Sequence, residues 1–289
     1  MNDLEKLYSP SKWSKRLSSD VIITKHLDLL NCASEKTRKS IPCALGNQYG
    51  LEEREQYDIF GTDLPNDAPI FIFIHGGYYQ EEAITHSLYS SIAEIFYKNK
   101  IKSILIGYEL APKKTVTEIL ENLQKALRKC IEYARNHKST KVFIAGHSVG
   151  AHALATFFPE FRASLQKEDQ NIIKALFLIG GLYDFEPITK ISANNSLKLS
   201  AETAKIKFSP LYQKGNFENV KLYIVVGEHD SPAFVNQSRS FHLKLKEEQI
   251  NSVLYILENI DHFDIMEKMC DESFLLTQII LQEISNYQI

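Results

Sequence analysis

Six short runs along the chain are almost wholly apolar, and longer stretches between them repeat apolar residues every three or four positions. IFIFI (70–74), SILIGY (103–108), KVFIA (141–145), ALFLIG (175–180), KLYIVV (221–226) and SVLYIL (252–257) are rich in β-branched and aromatic residues, which predicts strands. Most are continuous rather than alternating, as expected of strands covered on both faces in a parallel sheet. Between them, residues 116–137 place Ile119, Leu123, Ala126, Leu127, Cys130 and Ile131 near one helical face. Residues 149–158 and 273–287 also read as helices. Strand and helix in alternation predict an α/β fold, a mostly parallel central sheet with helices on both faces. LEEREQYDIFG (51–61) is expected to be an antiparallel edge strand. The chain is read as one domain over 1–289, with 1–50 as an N-terminal extension. Residues 185–219 separate two strands by more than a crossover needs. They predict a lid-like insertion, with an ordinary surface helix and loops as the alternative.

Composition narrows the function. Charged residues are 24% of the chain and the net charge is −3, with no long run of one sign, so neither nucleic acid nor a membrane surface is an expected partner. The opening MNDLEKLYSP has no apolar core, so no secretory leader is expected and a cytoplasmic location is. Cys32, Cys43, Cys130 and Cys270 lack paired spacing, so a zinc site made from them is not expected; no metal or cofactor is predicted.

The strongest chemical signal is Gly146-His147-Ser148-Val149-Gly150, which fits G-x-S-x-G between a predicted strand and a predicted helix. A serine on so sharp a turn needs small neighbours, and the helix N-terminus behind it favours developing negative charge. Ser148 is the candidate nucleophile. His147 is expected to pack beside the turn rather than act as base.

A serine needs donors for the oxyanion, a base and an orienting acid. Val149 N–H, just after the serine, is one expected donor. FIFIHGGYYQ (71–80) ends a strand in two glycines, and Gly76 and Gly77 are expected to turn amides toward the same oxygen. His75 would brace that loop. Where the order is serine, acid, histidine, Asp230 after KLYIVVGEH and His262 after SVLYILENID complete the set. Asp184 and Glu228 are rival acids. Asp261 and Asp264 are expected to shape the His262 loop.

Together YSPSKW, IHGGYYQ, GHSVGAHALA, GLYDFEPI, VVGEHDSPAFVNQS and DHFDIME span nearly the whole chain and resemble the kynurenine formamidases (arylformamidases) of the α/β-hydrolase fold. The resemblance implies hydrolysis of N-formyl-L-kynurenine to L-kynurenine and formate in tryptophan catabolism. It implies Ser148 as nucleophile, Asp230 as acid, His262 as base, and Gly76, Gly77 and Val149 as the oxyanion hole. It implies a small-molecule substrate, and a homodimer is an open expectation. Tyr79 departs from the tryptophan many members carry there. Tyr78 and Tyr79 are expected to line the aryl side of the site, with core packing as the alternative. A broad carboxylesterase for small aryl esters and a non-catalytic binding module are the competing functions.

Overall fold

A computed structural model describes residues 3–287. Its core is one eight-stranded sheet of β1 (Cys43–Gln48), β2 (Gln56–Phe60), β3 (Ile70–Ile74), β4 (Lys102–Ile106), β5 (Val142–His147), β6 (Ile173–Ile179), β7 (Lys221–Gly227) and β8 (Ser252–Leu257), in the order β1-β2-β4-β3-β5-β6-β7-β8. β2 runs antiparallel to both neighbours, and the other pairs are parallel. All six predicted strands form, within a few residues of their expected ends.

The helices are α1 (Asp3–Leu7), α2 (Ser19–Ser40), α3 (Ile92–Lys98), α4 (Val116–Asn136), α5 (Val149–Ala163), α6 (Lys167–Ile172), α7 (Asn194–Leu197), α8 (Ala201–Phe208), α9 (Pro232–Glu247), α10 (Asp264–Glu267) and α11 (Leu275–Ser285). α4 starts where a capping box allows it: Thr115 Oγ1 accepts Glu118 N–H, and Glu118 Oε2 accepts Thr115 N–H.

β3 shows why a continuous apolar run is needed. Its isoleucines, Ile70, Ile72 and Ile74, join the core beneath α4, α5 and α9. Its phenylalanines, Phe71 and Phe73, point to the opposite core beneath α2, α3 and α11, where Phe71 stacks on Phe96 with ring centroids 4.0 Å apart. Burying each such side chain contributes about 1.5–3 kcal/mol. Truncating Phe71 to alanine would cost about 3–5 kcal/mol. The parallel order also has a functional result. The C-terminal ends of β3, β5, β6, β7 and β8 lie along one edge of the sheet, so the loops that follow them gather there.

Two expectations change, the edge position of residues 51–61 and the place of the N-terminal extension outside the sheet. Residues 51–61 supply β2, which is not the edge: β1 lies outside it. β1 escaped prediction because CALGNQ carries Gly46 at φ +68° and a register shift between Ala44 and Asn47. The N-terminal extension therefore gives a strand to the sheet rather than standing outside it. Segment 185–219 folds as 3-10 turns with α7 and α8. No helix among the described residues is long and apolar enough to cross a membrane.

Candidate active site

Ser148 sits between β5 and α5 at φ 55°, ψ −120°, a strained backbone for a residue with a side chain. Its neighbours must be glycine. A Cβ on Gly146 would lie 2.4 Å from the Gly150 carbonyl, and one on Gly150 would lie 2.3 Å from the Ile74 carbonyl oxygen. The turn is pinned by Ser148 N–H donating to Ile179 O at 2.8 Å, while His152 N–H donates to Ser148 O at 3.0 Å.

Asp230 follows β7 and His262 follows β8. His262 Nδ1 and Asp230 Oδ2 are 2.6 Å apart, both buried. A carboxylate only accepts, so Nδ1 carries the hydrogen, and in a neutral ring with that tautomer Nε2 is the acceptor. The other Asp230 oxygen accepts Ser231 N–H at 2.7 Å. Gly180, at φ +54°, lets the ring lie close: a Cβ there would be 3.1 Å from two His262 ring atoms. Among the described residues Ser148 Oγ has no hydrogen bond to His262, although both line the same cavity. Such bonds are often long until substrate arrives.

The rival acids are occupied elsewhere. Asp184 accepts from Glu186 N–H, Ser209 Oγ and Tyr212 Oη, and the half-exposed Glu228 accepts from Asn259 N–H. Asp261 caps Phe263 and Asp264 N–H groups and is held in turn by Ser14 and Arg16. Burial works against its charge, but the bonds from Arg16 and Ser14 outweigh burial and keep the carboxyl well below the usual range.

The loop after β3 runs through three consecutive positive φ values, Gly77 at +101°, Tyr78 at +49° and Tyr79 at +59°. Gly76 presses on Ser148, where a Cβ would meet the serine Cβ at 2.9 Å. Tyr108 Oη donates to both His75 O and Gly76 O, and its ring stacks on His75 at 4.2 Å. Burial pushes His75 down to about 3, so the ring is neutral. Among the described residues the N–H groups of Gly77, Tyr78 and Val149 have no partner in the chain.

Ser148, His262, Gly77 and Tyr78 line one cavity of about 310 Å³. Larger hollows of about 470 and 710 Å³ lie elsewhere and hold no histidine. Tyr78 lines the cavity and donates its hydroxyl to Tyr8 O. Tyr79 does not line it, and that expectation is corrected. Tyr79 is fully buried in the core, with its hydroxyl bonded to Val149 O at 2.9 Å and His152 Nδ1 at 2.7 Å. Its hydroxyl needs that pair of partners, and the turn of the loop sends the ring away from the cavity.

His147 packs beside His262 at 4.5 Å and donates Nε2–H to the His262 carbonyl at 3.1 Å. Burial, with the nearby His262 ring, holds it far below the ordinary histidine value. Sequence reasoning missed the N-terminal wall. Tyr8, Ser9, Pro10, Ser11 and His26 border the cavity, and Ile191 to Ala193 reach it from the 185–219 segment. YSPSKW was the available signal: it stood out as a motif, but nothing local said that it meets residues far along the chain.

The α/β-hydrolase fold family matches residues 71–263. The kynurenine formamidase of Salmo salar is 30% identical over 287 residues, 97% of this chain and 95% of that one. This chain belongs to the kynurenine formamidase family of α/β-hydrolases. The Danio rerio kynurenine formamidase is 30% identical, covering 98% of this chain and 96% of its own length. A solved structure from Silicibacter sp. TM1040, described as a candidate thioesterase, superposes with a TM-score of 0.80 at 25% identity, covering 96% and 98% of the two chains. The family match begins at Phe71 and so leaves out the N-terminal wall, whereas the two formamidase matches cover 97% and 98% of this chain.

Proposed function

We propose that the protein hydrolyses the formamide of N-formyl-L-kynurenine to L-kynurenine and formate, a step of tryptophan catabolism. The observation that carries this reading is the 2.6 Å His262–Asp230 pair opening on the cavity that holds Ser148, in a chain whose full-length relatives are kynurenine formamidases.

His262 Nε2 takes the proton as Ser148 Oγ attacks the formyl carbon. The carbonyl oxygen becomes an oxyanion, met by the free amides of Gly77 and Val149, while Gly76 lets the loop approach. Each such donor contributes about 2.7–4 kcal/mol to the transition state. His262 then returns the proton to the aryl nitrogen, the C–N bond breaks and L-kynurenine leaves. Water activated by His262 cleaves the formyl ester and releases formate. Asp230 keeps Nδ1–H in place and stabilises the imidazolium.

The test compares kcat/KM for N-formylkynurenine with that for a nitrophenyl ester. A formamide preference, abolished in Ser148→Ala, supports the proposal. An ester preference of several orders of magnitude would make the protein a carboxylesterase. Full turnover in Ser148→Ala would refute the serine mechanism.

A further inference from the structure

The formamidase reading leaves one charge of an amino-acid substrate without a partner. The cavity wall includes the carboxylates of Glu5 and Glu81 but, among the described residues, no lysine or arginine. A substrate carboxylate entering there needs a cation. His147 cannot supply one. Its Nε2–H is donated to the His262 carbonyl, and its Nδ1 is buried with no partner, so a proton there would have nothing to bond. His262 is committed to the reaction.

His26 is the remaining imidazole in the wall. It lies on α2, is 4% exposed, and meets Phe263 edge-on with ring centroids 5.2 Å apart. Its Nδ1 is 2.8 Å from Glu267 Oε1. A carboxylate accepts only, so Nδ1 carries the hydrogen. Nε2 has no partner in the chain. Glu267 is suited to back a cation. Burial works against its charge, but hydrogen bonds from His26 and Arg16 outweigh burial and hold the carboxyl below its ordinary range. The cavity wall therefore contains a second carboxylate–imidazole pair with its outer nitrogen unused.

We propose that His26, as an imidazolium backed by Glu267, binds the carboxylate of an amino-acid-bearing aryl formamide through Nε2–H. This rests on the formamidase reading above. The bound form carries hydrogens on both ring nitrogens, Nδ1–H to Glu267 and Nε2–H to the substrate carboxylate. Glu5 and Glu81 repel a bare anion and suit the ammonium of the same amino acid. Glu5 is already tied to Ser192 N–H and Oγ, whereas Glu81 is exposed. The wall thus selects a zwitterion over a simple arylcarboxylate.

The experiment uses the full chain and two formamides that share one aryl group, one with the amino-acid side chain and one with its decarboxylated amine. The wild type is expected to favour the carboxylate-bearing substrate by about 10–100-fold in kcat/KM, mostly through KM. His26→Gln keeps a donor of similar reach but no charge, and should bring that ratio close to one. Absence of the preference in the wild type, or its retention in His26→Gln, overturns the proposal. If His26→Gln does not fold, inhibition of the wild type by the amino-acid arylamine product and by its decarboxylated form decides. Tighter inhibition by the carboxylate form supports the assignment, and equal inhibition overturns it. A wild type that turns over neither formamide fails the formamidase reading itself, and this inference falls with it.

Discussion

Replacing Asp230 by asparagine separates catalysis from folding. The two Asp230 oxygens hold two hydrogens, Ser231 N–H at 2.7 Å and His262 Nδ1–H at 2.6 Å. Asparagine fits the same space but has one oxygen. If that oxygen stays on Ser231 N–H, the NH2 group faces Nδ1, which must then be bare. The ring hydrogen moves to Nε2, where the serine proton has to go. A wrong tautomer of this kind lowers kcat by about 10⁴-fold in the well-studied serine protease triad. For this protein a loss of about 10³–10⁴-fold is expected, or about 4–5.5 kcal/mol at about 1.36 kcal/mol per decade. The folding cost is smaller, since one buried charged hydrogen bond is worth about 1.5–3 kcal/mol. The assay follows arylamine release from a formamide substrate and pairs each rate with a thermal melt. Asp184→Asn is the control: Asp184 bonds Glu186, Ser209 and Tyr212 instead of a catalytic ring, and its rate should stay within a few-fold. A folded Asp230→Asn within about tenfold of wild type would refute the reasoning. So would an equal loss at Asp184.

Three further outcomes follow from the same geometry. Tyr79→Phe removes the hydroxyl between Val149 O and His152 Nδ1 and should cost about 1–3 kcal/mol by urea unfolding, leaving the ranking of aryl substrates intact; a changed ranking would return Tyr79 to the cavity wall. Arg16→Ala frees Asp261 and Glu267 beside the base and should lower kcat by about tenfold, more than a surface ion pair lost to alanine would explain; an unchanged kcat would show that the loop holds itself. Acid should destabilise the fold through His75, His147 and His152, all buried and all pushed below 6.5, the first to about 3 and the last to about 4. Below about pH 6.5 the unfolded chain gains protons that these folded rings refuse, so stability falls toward about pH 4 by roughly 2 kcal/mol per ring at about pH 5. A urea midpoint that does not move between about pH 7 and about pH 5 would contradict this.

What the sequence reveals depends on how local the physics is. β3 is legible because a strand covered on both faces must be apolar at every position, and Ile70 to Ile74 meet that condition within five residues; β4 to β8 are legible from runs that are mostly apolar. Ser148 is legible because a strained turn needs Gly146 and Gly150 beside it. Asp230 and His262 are legible as pairable residues just past strand ends. β1 is not, because Gly46 and its register shift erase the pattern. Tyr78 and Tyr79 are adjacent letters with the same φ sign, yet one lines the cavity and the other is core. Only the path of the whole loop decides which.

The wall built by residues 5 to 26 is the clearest case of what local pattern cannot carry. His26 lies on α2, and nothing in the local sequence marks it out. Its partner Glu267 is 241 residues away, and Ser14 and Arg16 reach 247 and 245 residues to Asp261. The same segment receives the Tyr78 hydroxyl at Tyr8 O and the Ser231 hydroxyl at Leu7 O, so with Arg16 on Asp261 it touches the loops that carry Gly77, Asp230 and His262. Those loops hang from the C-terminal ends of strands, where the sheet holds their roots and not their tips. A wall bonded to all three tips supplies that missing restraint. Ser148, Asp230 and His262 are legible because they follow closely on strand ends. The wall residues become visible at the cavity only when the N-terminal segment is folded against the loops that follow β7 and β8.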